Sequence, residues 1–308
     1  MPRVDVVHLG LMLSALGLAY LLPFELLLIA YAVLGPAHYL TEISWLHDRQ
    51  YFLSARPIAL LLAAVAVAAV SIPNAPDSGL LIWIAFVGAA LAIGGISWLQ
   101  RAVLAAILVA ITAALVTGRD FVAVSAVLLP TLVHVSVFTL IFMMLGAYRS
   151  GSRSQMALVL VYLAAIALIL LVPPGPIPRS MPLAQLGYHY FGGVAPALGQ
   201  VLHVPDLSFD SRSTGLLSFV YTYHYLNWFI KADVIGWRRI PAGRLSVIIV
   251  LSVAATGLYF YDYAKGFTVL LALSLLHVVL EFPLNTVSIR QLAGIAAQGF
   301  GRQVRAAS

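Results

Sequence analysis

The sequence contains no cysteine, and only 9% of its 308 residues are charged. The lack of cysteine excludes disulfides, thiolate metal sites and iron–sulfur clusters. The charged fraction is far below the roughly one quarter that is usual in soluble domains. An ordinary soluble domain is therefore excluded. The apolar sequence also continues along the whole chain, which leaves no segment for a separate one.

What the chain has instead is apolar sequence, since 62% of its residues are hydrophobic and its mean hydropathy is +1.00. The apolar runs approach the length of about twenty residues that a helix needs to cross a bilayer. We expect an all-α, polytopic bundle of about ten transmembrane helices, forming a single integral membrane domain over residues 1–308. The predicted crossings are at about 4–22, 24–47, 56–73, 79–98, 101–117, 121–147, 154–172, 215–236, 244–264 and 266–289.

The seventeen basic residues stand singly between the apolar runs and form no patch, so no nucleic-acid partner is expected. With ten crossings, thirteen of them fall on one side and four on the other. Because Lys and Arg concentrate in cytoplasmic loops, both termini are predicted to be cytoplasmic. Merging the first two helices, which only Leu22-Pro23 separates, would scramble that distribution. The longest connection, at about 173–214, is predicted to be a non-cytoplasmic lid.

Four histidines fall within predicted crossings, one on each of the second, sixth, eighth and tenth helices. These four helices run in the same direction in the predicted topology. At a rise of 1.5 Å per residue, the histidines lie within about 8 Å of a common depth. An ionisable side chain at that depth normally faces the bundle interior and has a partner there. The sequence therefore predicts one shared metal site, with the ligands His38, His134, His224 and His277.

Two of these histidines are followed by an acid four residues later, Glu42 after His38 and Glu281 after His277. This spacing places acid and imidazole on one face of the helix. The carboxylate either orients a metal-bound histidine through its far ring nitrogen or binds the metal itself. Imidazole with carboxylate suits iron, including non-haem Fe(II), and also zinc, copper or nickel.

Each feature also has a simpler interpretation. A single buried histidine is more often a structural hydrogen-bonding group than a ligand. Lys231 and Asp233 are most simply an interfacial pair at a helix end. Several aromatic and polar residues beside the histidines either line a pocket for an apolar ligand or only pack the helices, namely Tyr39, Tyr221, Tyr225, Asn227 and Trp228.

The order of these motifs resembles that of the Brp/Blh family of integral membrane β-carotene 15,15′-dioxygenases. Gly35, Pro36, His38 and Glu42 are similar to the family's early Gly-x-Pro-His-x-x-x-Asp motif, with the proline shifted by one residue and Glu for Asp. His134 and His224 stand at the two central histidine motifs, and His277 with Glu281 at the last. Trp228 replaces a second histidine of the third motif.

The resemblance implies a non-haem iron oxygenase in a bacterial inner membrane, acting on a carotenoid or another hydrophobic lipid or isoprenoid. Membrane lipids and that substrate are the expected partners. One alternative is a proton- or ion-coupled transporter that uses the His/Glu pairs as a relay. A haem-binding membrane protein is a third interpretation, and a non-catalytic scaffold a fourth.

Overall fold

A computed structural model describes residues 2–71, 78–115, 133–175, 185, 211–231, 236 and 240–307. These residues are helical, and among them the only strand-like pairing is a single bridge between Leu53 and Ile93. The all-α expectation is confirmed. The helices, which we number in chain order, are α1 Arg3–Leu21, α2 Pro23–Asp48, α3 Arg56–Ser71, α4 Ser78–Leu91, α5 Trp98–Leu115, α6 Val133–Ser150, α7 Arg153–Leu171, α8 Ser211–Ile230, α9 Ala242–Tyr261 and α10 Tyr263–Ala307.

Six of these helices are long and apolar enough to cross a membrane: α1, α2, α6, α7, α9 and α10. Helices α3, α4 and α5 are apolar but shorter within the described residues. Helix α8 has 20 residues but carries many buried polar and aromatic side chains. The chain thus has the build of a membrane protein. The number of crossings and the location of the termini remain predictions.

The first two helices are separate, as the sequence predicts, because the chain breaks at Leu22 (φ −140°, ψ 61°) and α2 begins at Pro23. The Tyr20 hydroxyl near the end of α1 donates to the Val172 carbonyl, 2.6 Å away, just beyond the end of α7. At the other end of α1, Asp5 accepts a hydrogen bond from Ser154 in the first turn of α7. Helices α1 and α7 therefore run in the same direction.

Helices α3 and α4 form an antiparallel pair, and the segment before α3 is hydrogen-bonded to the segment after α4. The Ser54 amide donates to the Ala92 carbonyl (2.8 Å), and the Gly94 amide donates to the Phe52 carbonyl (2.8 Å). Gly95 has a positive φ of 70°, a conformation that glycine adopts without strain. Helix α4 ends at Leu91, earlier than the predicted boundary at 98, because residues 92–94 pair with the segment before α3 instead.

Proline 36 explains a local irregularity in α2. Residues Ala30–Leu34 form a π-helical turn directly before Gly35 and Pro36. A proline has no N–H, so the carbonyl four residues earlier, that of Ala32, loses its helical donor. The Thr256 hydroxyl of α9 donates to this carbonyl instead, at 2.8 Å. The irregular turn is thus satisfied by a neighbouring helix, as a membrane interior requires.

Helices α9 and α10 are separated by Asp262. Its carboxylate pairs with the Lys265 ammonium at 2.9 Å and accepts from the Lys265 amide at 3.1 Å. The hydrogen bond from the Lys265 side chain and the one from its amide hold the pKa of Asp262 below its ordinary value. Helix α10 then continues to Ala307, well beyond the predicted end at 289.

The predicted connection at about 173–214 lies almost entirely outside the described residues. Helix α8 begins at Ser211, four residues before the predicted start of the crossing. Four helices, α2, α6, α8 and α10, come together around the centre described next.

Candidate metal centre

The four histidines predicted from the sequence lie together in the interior of the described bundle. Their exposed fractions are 1% for His38, His134 and His277 and 7% for His224. One ring nitrogen of each lies within 4.8 Å of one from every other. This geometry is that of a group able to hold a metal ion.

The four imidazoles form a closed ring. The ring centres lie 4.7 Å apart for His38 and His224, 4.9 Å for His224 and His134, 4.9 Å for His134 and His277, and 5.3 Å for His277 and His38. Each ring stands edge-to-face to its neighbours, at interplanar angles of 71–79°. The Nε2 atoms of His38 and His224 are 3.1 Å apart, and so are those of His134 and His277.

These nitrogen distances fit a shared ion. With metal–nitrogen bonds of about 2.0–2.1 Å, adjacent ligand nitrogens lie about 2.9 Å apart at right angles and about 3.4 Å apart in a tetrahedron. The observed 3.1 Å lies between these two values.

Thr139 sets the protonation of His224. Its hydroxyl donates to the Val135 carbonyl at 2.7 Å, so its single proton is already used. The His224 Nδ1 atom lies 2.7 Å from the same oxygen and must therefore carry the hydrogen in that contact. The Nε2 atom of His224 is left with a free lone pair, which faces the other histidines. A histidine in this tautomer is ready to bind a metal.

Glu42 lies on the inner side of the cluster. Its Oε2 atom is 3.1 Å from His38 Nε2, the nitrogen that faces His224, and not from the far nitrogen Nδ1. It is 2% exposed. This position suits a carboxylate that binds the same ion as the imidazoles. The alternative of a carboxylate that only orients His38 from behind would need a contact to Nδ1.

Glu281, which the sequence pairs with His277 on its own helix, has a carboxylate oxygen within 4.8 Å of a His277 ring nitrogen and also faces a second histidine. Its Oε2 atom lies 3.1 Å from Nδ1 of His134, on α6. This is the nitrogen remote from His277, and the two atoms are close without forming a hydrogen bond. Residues four apart share a helix face, and that face reaches the neighbouring helix here. His134, which no acid follows in the sequence, thus has an acidic neighbour on α10.

The aromatic residues named from the sequence divide into two groups. Asn227 and Trp228 line a cavity beside the histidines. Tyr39 and Tyr225 are joined by a 2.6 Å hydrogen bond between their hydroxyl groups, and Tyr39 stacks on His277 at 4.3 Å. Tyr221 packs against Tyr225 in the same cluster. None of these three tyrosines is among the residues that line the cavity.

The cavity has a volume of about 400 Å³ and extends from the cluster to one end of the bundle. His38, His224, Glu42 and Glu281 form its inner end. The volume falls within the range of about 300–1,000 Å³ that is typical of ligand sites. A ligand in this cavity would reach the ring nitrogens of the cluster.

The order of residues along the four helices gives their direction. On each helix the histidine comes first and the outer cavity residues follow. Since the histidines meet at one end and the later residues at the other, the four helices run parallel, as the sequence predicts. The pairs are His38 and Arg49 on α2, His134 and Arg149 on α6, His224 and Lys231 at the end of α8, and His277 and Gln291 on α10.

Two residues were missed or interpreted differently at the level of sequence. Thr139 had no signal, because a threonine in an apolar helix usually bonds only its own helix. Lys231 looked like an interfacial residue, yet it lines the cavity wall. The available signal was its spacing from His224, since positions three and seven residues after it, Asn227 and Lys231, share one helix face. Asp233 lies outside the described residues.

Comparison of the chain with protein-family profiles, with curated proteins and with solved structures gave no match. The class of protein therefore rests on the fold and the site alone. They define a helical protein of membrane-spanning build with a buried histidine group able to hold a metal ion.

Proposed function

We propose that this chain is a membrane-embedded, histidine-ligated oxygenase that uses non-haem iron and acts on a hydrophobic lipid or isoprenoid substrate. The observation that supports it most strongly is the closed ring of four buried imidazoles with a cavity that reaches two of them. Imidazole and carboxylate ligands with an open position for substrate are typical of non-haem iron sites. Bound iron would supply the activation of O2.

The chain's own residues provide binding and orientation. His38, His134, His224 and His277 would hold the ion, and Glu42 would join them from the cavity side. Thr139 keeps Nε2 of His224 free, and Glu281 lies beside Nδ1 of His134. Phe142 and Leu145 of α6 line the same cavity and would pack against an apolar chain while excluding water.

A haem centre is disfavoured by the spacing of the rings. Axial histidines of a haem have the porphyrin between them. Ring nitrogens 3.1 Å apart, in both Nε2 pairs, leave no room for a porphyrin.

A proton- or ion-coupled transporter is the second candidate, since Glu42 and Glu281 are buried beside histidines. A relay would need polar groups spaced across the bundle. Here the acids and imidazoles form one compact centre, and the Tyr39–Tyr225 pair packs beside it with Ala30 and Leu273, away from the cavity. These observations favour a metal centre over a relay.

Kinship with the Brp/Blh dioxygenases belongs to the same proposal and is supported by the order of the histidine motifs. Trp228, which replaces the family's second histidine of the third motif, lies edge-to-face against His38 at 5.5 Å. Its indole N–H donates to the Thr41 hydroxyl at 3.0 Å. We infer that Glu42 contributes the ligand that this motif would otherwise have added.

Metal analysis of protein purified without a histidine tag tests the proposal. We expect about one iron per chain, because four imidazoles and one carboxylate complete a single mononuclear site. His277→Ala should abolish binding. His47→Ala should not, because His47 is exposed at the end of α2 and lies outside the cluster. A folded protein that binds no metal would reject the proposal and favour the transporter.

Substrate oxidation is tested next. Expression in cells that produce β-carotene should bleach their colour if the substrate is a carotenoid, and His277→Ala should restore it. A protein that retains iron without bleaching would reject carotenoid cleavage and leave other apolar substrates to be screened by oxygen consumption.

A further inference from the structure

The outer part of the cavity differs from its inner end in charge. Three cationic residues line it: Arg49 at the end of α2, Arg149 in the last turn of α6 and Lys231 directly after α8. The only acids that line the cavity in the described structure are Glu42 and Glu281, which lie against histidines at the inner end and also interact electrostatically with Lys231. Arg49 and Arg149 therefore give the outer end a local excess of positive charge, while the charge of Lys231 is partly balanced.

Arg149 and Lys231 line this cavity and also a neighbouring one that contains Asp5 and His8. The Arg149 guanidinium donates to the Gln291 side chain, which links α6 to α10. The Arg49 guanidinium lies over the Trp45 ring, 3.9 Å from its centre. A cation at a helix C-terminus is favoured by the helix dipole. That general preference does not account for three of them converging on one cavity that leads to the histidines.

Between the cations and the histidines the cavity wall is mainly apolar. The apolar residues are Trp45 on α2, Phe142 on α6, Trp228 on α8 and Leu284 on α10. The helical distance from His224 to Lys231, from Thr139 to Arg149 and from His38 to Arg49 is about 10–17 Å. The cavity is thus cationic at its mouth, apolar along its length and metal-binding at its inner end.

We propose that the ligand of this cavity is an anionic amphiphile: a single apolar chain with a carboxylate or phosphate head. Arg149 and Lys231 bind the head, and Arg49 adds to the positive field. The apolar chain extends inwards past Trp45 and Trp228, so a carbon about 10–17 Å from the head lies beside the histidines. This inference names a substrate class for the proposed oxygenase. It rests on the proposed function only for the statement that the bound amphiphile is the substrate.

The test uses the two tryptophans in the cavity wall as reporters. Brominated stearic acid, stearyl phosphate and stearyl alcohol are titrated into the detergent-solubilised full chain while tryptophan fluorescence is followed. We expect saturable quenching, with both anions binding about tenfold or more tightly than the alcohol, the size expected for charge-assisted hydrogen bonds. Whichever anion binds more tightly identifies the source as a free acid or a phosphorylated chain.

Three variants locate the effect. Arg149→Gln and Lys231→Gln should each weaken binding of the anions several-fold and leave binding of the alcohol unchanged. Arg153→Gln removes an exposed cation that does not line the cavity, and it should change neither. Replacing Trp45 and Trp228 by Phe together should remove most of the quenching, because Trp83 and Trp98, the other tryptophans in the part of the chain that the structure describes, do not line the cavity.

Equal binding of alcohol and anions would overturn the proposal, and so would unchanged anion affinity in both Arg149→Gln and Lys231→Gln. Quenching that persists without Trp45 and Trp228 would overturn it too. Iron content measured in the same samples separates the two proposals. Iron without anion preference rejects only the ligand class, whereas anion preference without iron rejects only the oxygenase.

Discussion

Thr139 shows how one hydroxyl can fix the tautomer of a buried histidine. It donates to the carbonyl of Val135 and accepts from Nδ1 of His224, so the histidine is held with its other nitrogen free. It is 1% exposed, and among the described residues no other protein group contacts that Nδ1 by a hydrogen bond. Second contacts of this kind commonly change metal affinity by about 10–100-fold when they are removed.

We therefore expect Thr139→Val to lower metal affinity by about 10–100-fold while the fold is retained, because valine has the same shape but offers no acceptor. Thr139→Ser is the matched control, since it keeps the hydroxyl and should retain most of the affinity. The measurement is a competition titration against a chelator of known affinity. Equal affinities for the Val and Ser variants would show that the hydroxyl does not set the tautomer.

The sequence was sufficient to predict which histidines meet but not which acid supports which histidine. The four histidines share a depth, and a depth follows from helix limits and the rise per residue. The contact of Glu281 with His134 depends on the rotation of α10 relative to α6, which a spacing of four residues does not contain. Within one helix the spacing is informative, because Glu42 contacts His38 and Glu281 lies within 4.8 Å of a His277 ring nitrogen.

At the scale of the element, two π-helical turns lie at or just before histidines of the cluster. One precedes His38 at Ala30–Leu34, and residues 133–138 of α6, which include His134, are also π-helical. Such turns are uncommon and are frequent at functional sites, because they shift the side chains that follow to a new angle. The sequence signals only the first of them, through Pro36. Nothing in the local sequence around His134 predicts the second.

The hydrogen bond from Thr256 to the Ala32 carbonyl is the contact that makes the first turn stable in an apolar environment. Thr256→Val should leave this carbonyl without a donor and destabilise the protein by about 1–3 kcal/mol, the usual cost of an unsatisfied buried polar group. Thermal unfolding in detergent measures the loss. Thr268→Val is the control, because that hydroxyl bonds a carbonyl of its own helix, Ala264, on the exposed surface. Equal destabilisation by both changes would contradict this role.

At the scale of the whole molecule, the directions of the helices bear on how many of them cross the membrane. Arg49 and Arg149 lie at one end of the bundle, and α2 and α6 both run towards that end. The chain must therefore return to the opposite end between them, over a segment that contains α3, α4 and α5. An odd number of crossings is required there. The hydrogen bonds that join the start of α3 to the end of α4 indicate that this pair goes out and comes back, so we expect the third passage to include α5.

Length and apolarity alone would count six crossings and omit α3, α4, α5 and α8. For α8, the buried polar residues that lower its hydropathy include His224 and Asn227, which belong to the site. The polar residues that α8 contributes to the site therefore lower its hydropathy below that of an ordinary membrane span. The distribution of basic residues is independent of hydropathy and supports ten.

Single-cysteine labelling distinguishes the two counts, because the chain has no native cysteine to give a background. Ser54→Cys, Ser150→Cys and Lys265→Cys are treated on intact cells with a membrane-impermeant maleimide, with and without permeabilisation. Ten crossings place four helices between positions 54 and 150 and three between 150 and 265. The first two sites should then react only after permeabilisation and the third without it. With six crossings, positions 150 and 265 would share a side and position 54 would lie on the other, so Ser54→Cys and Ser150→Cys reacting differently would reject the ten-helix topology.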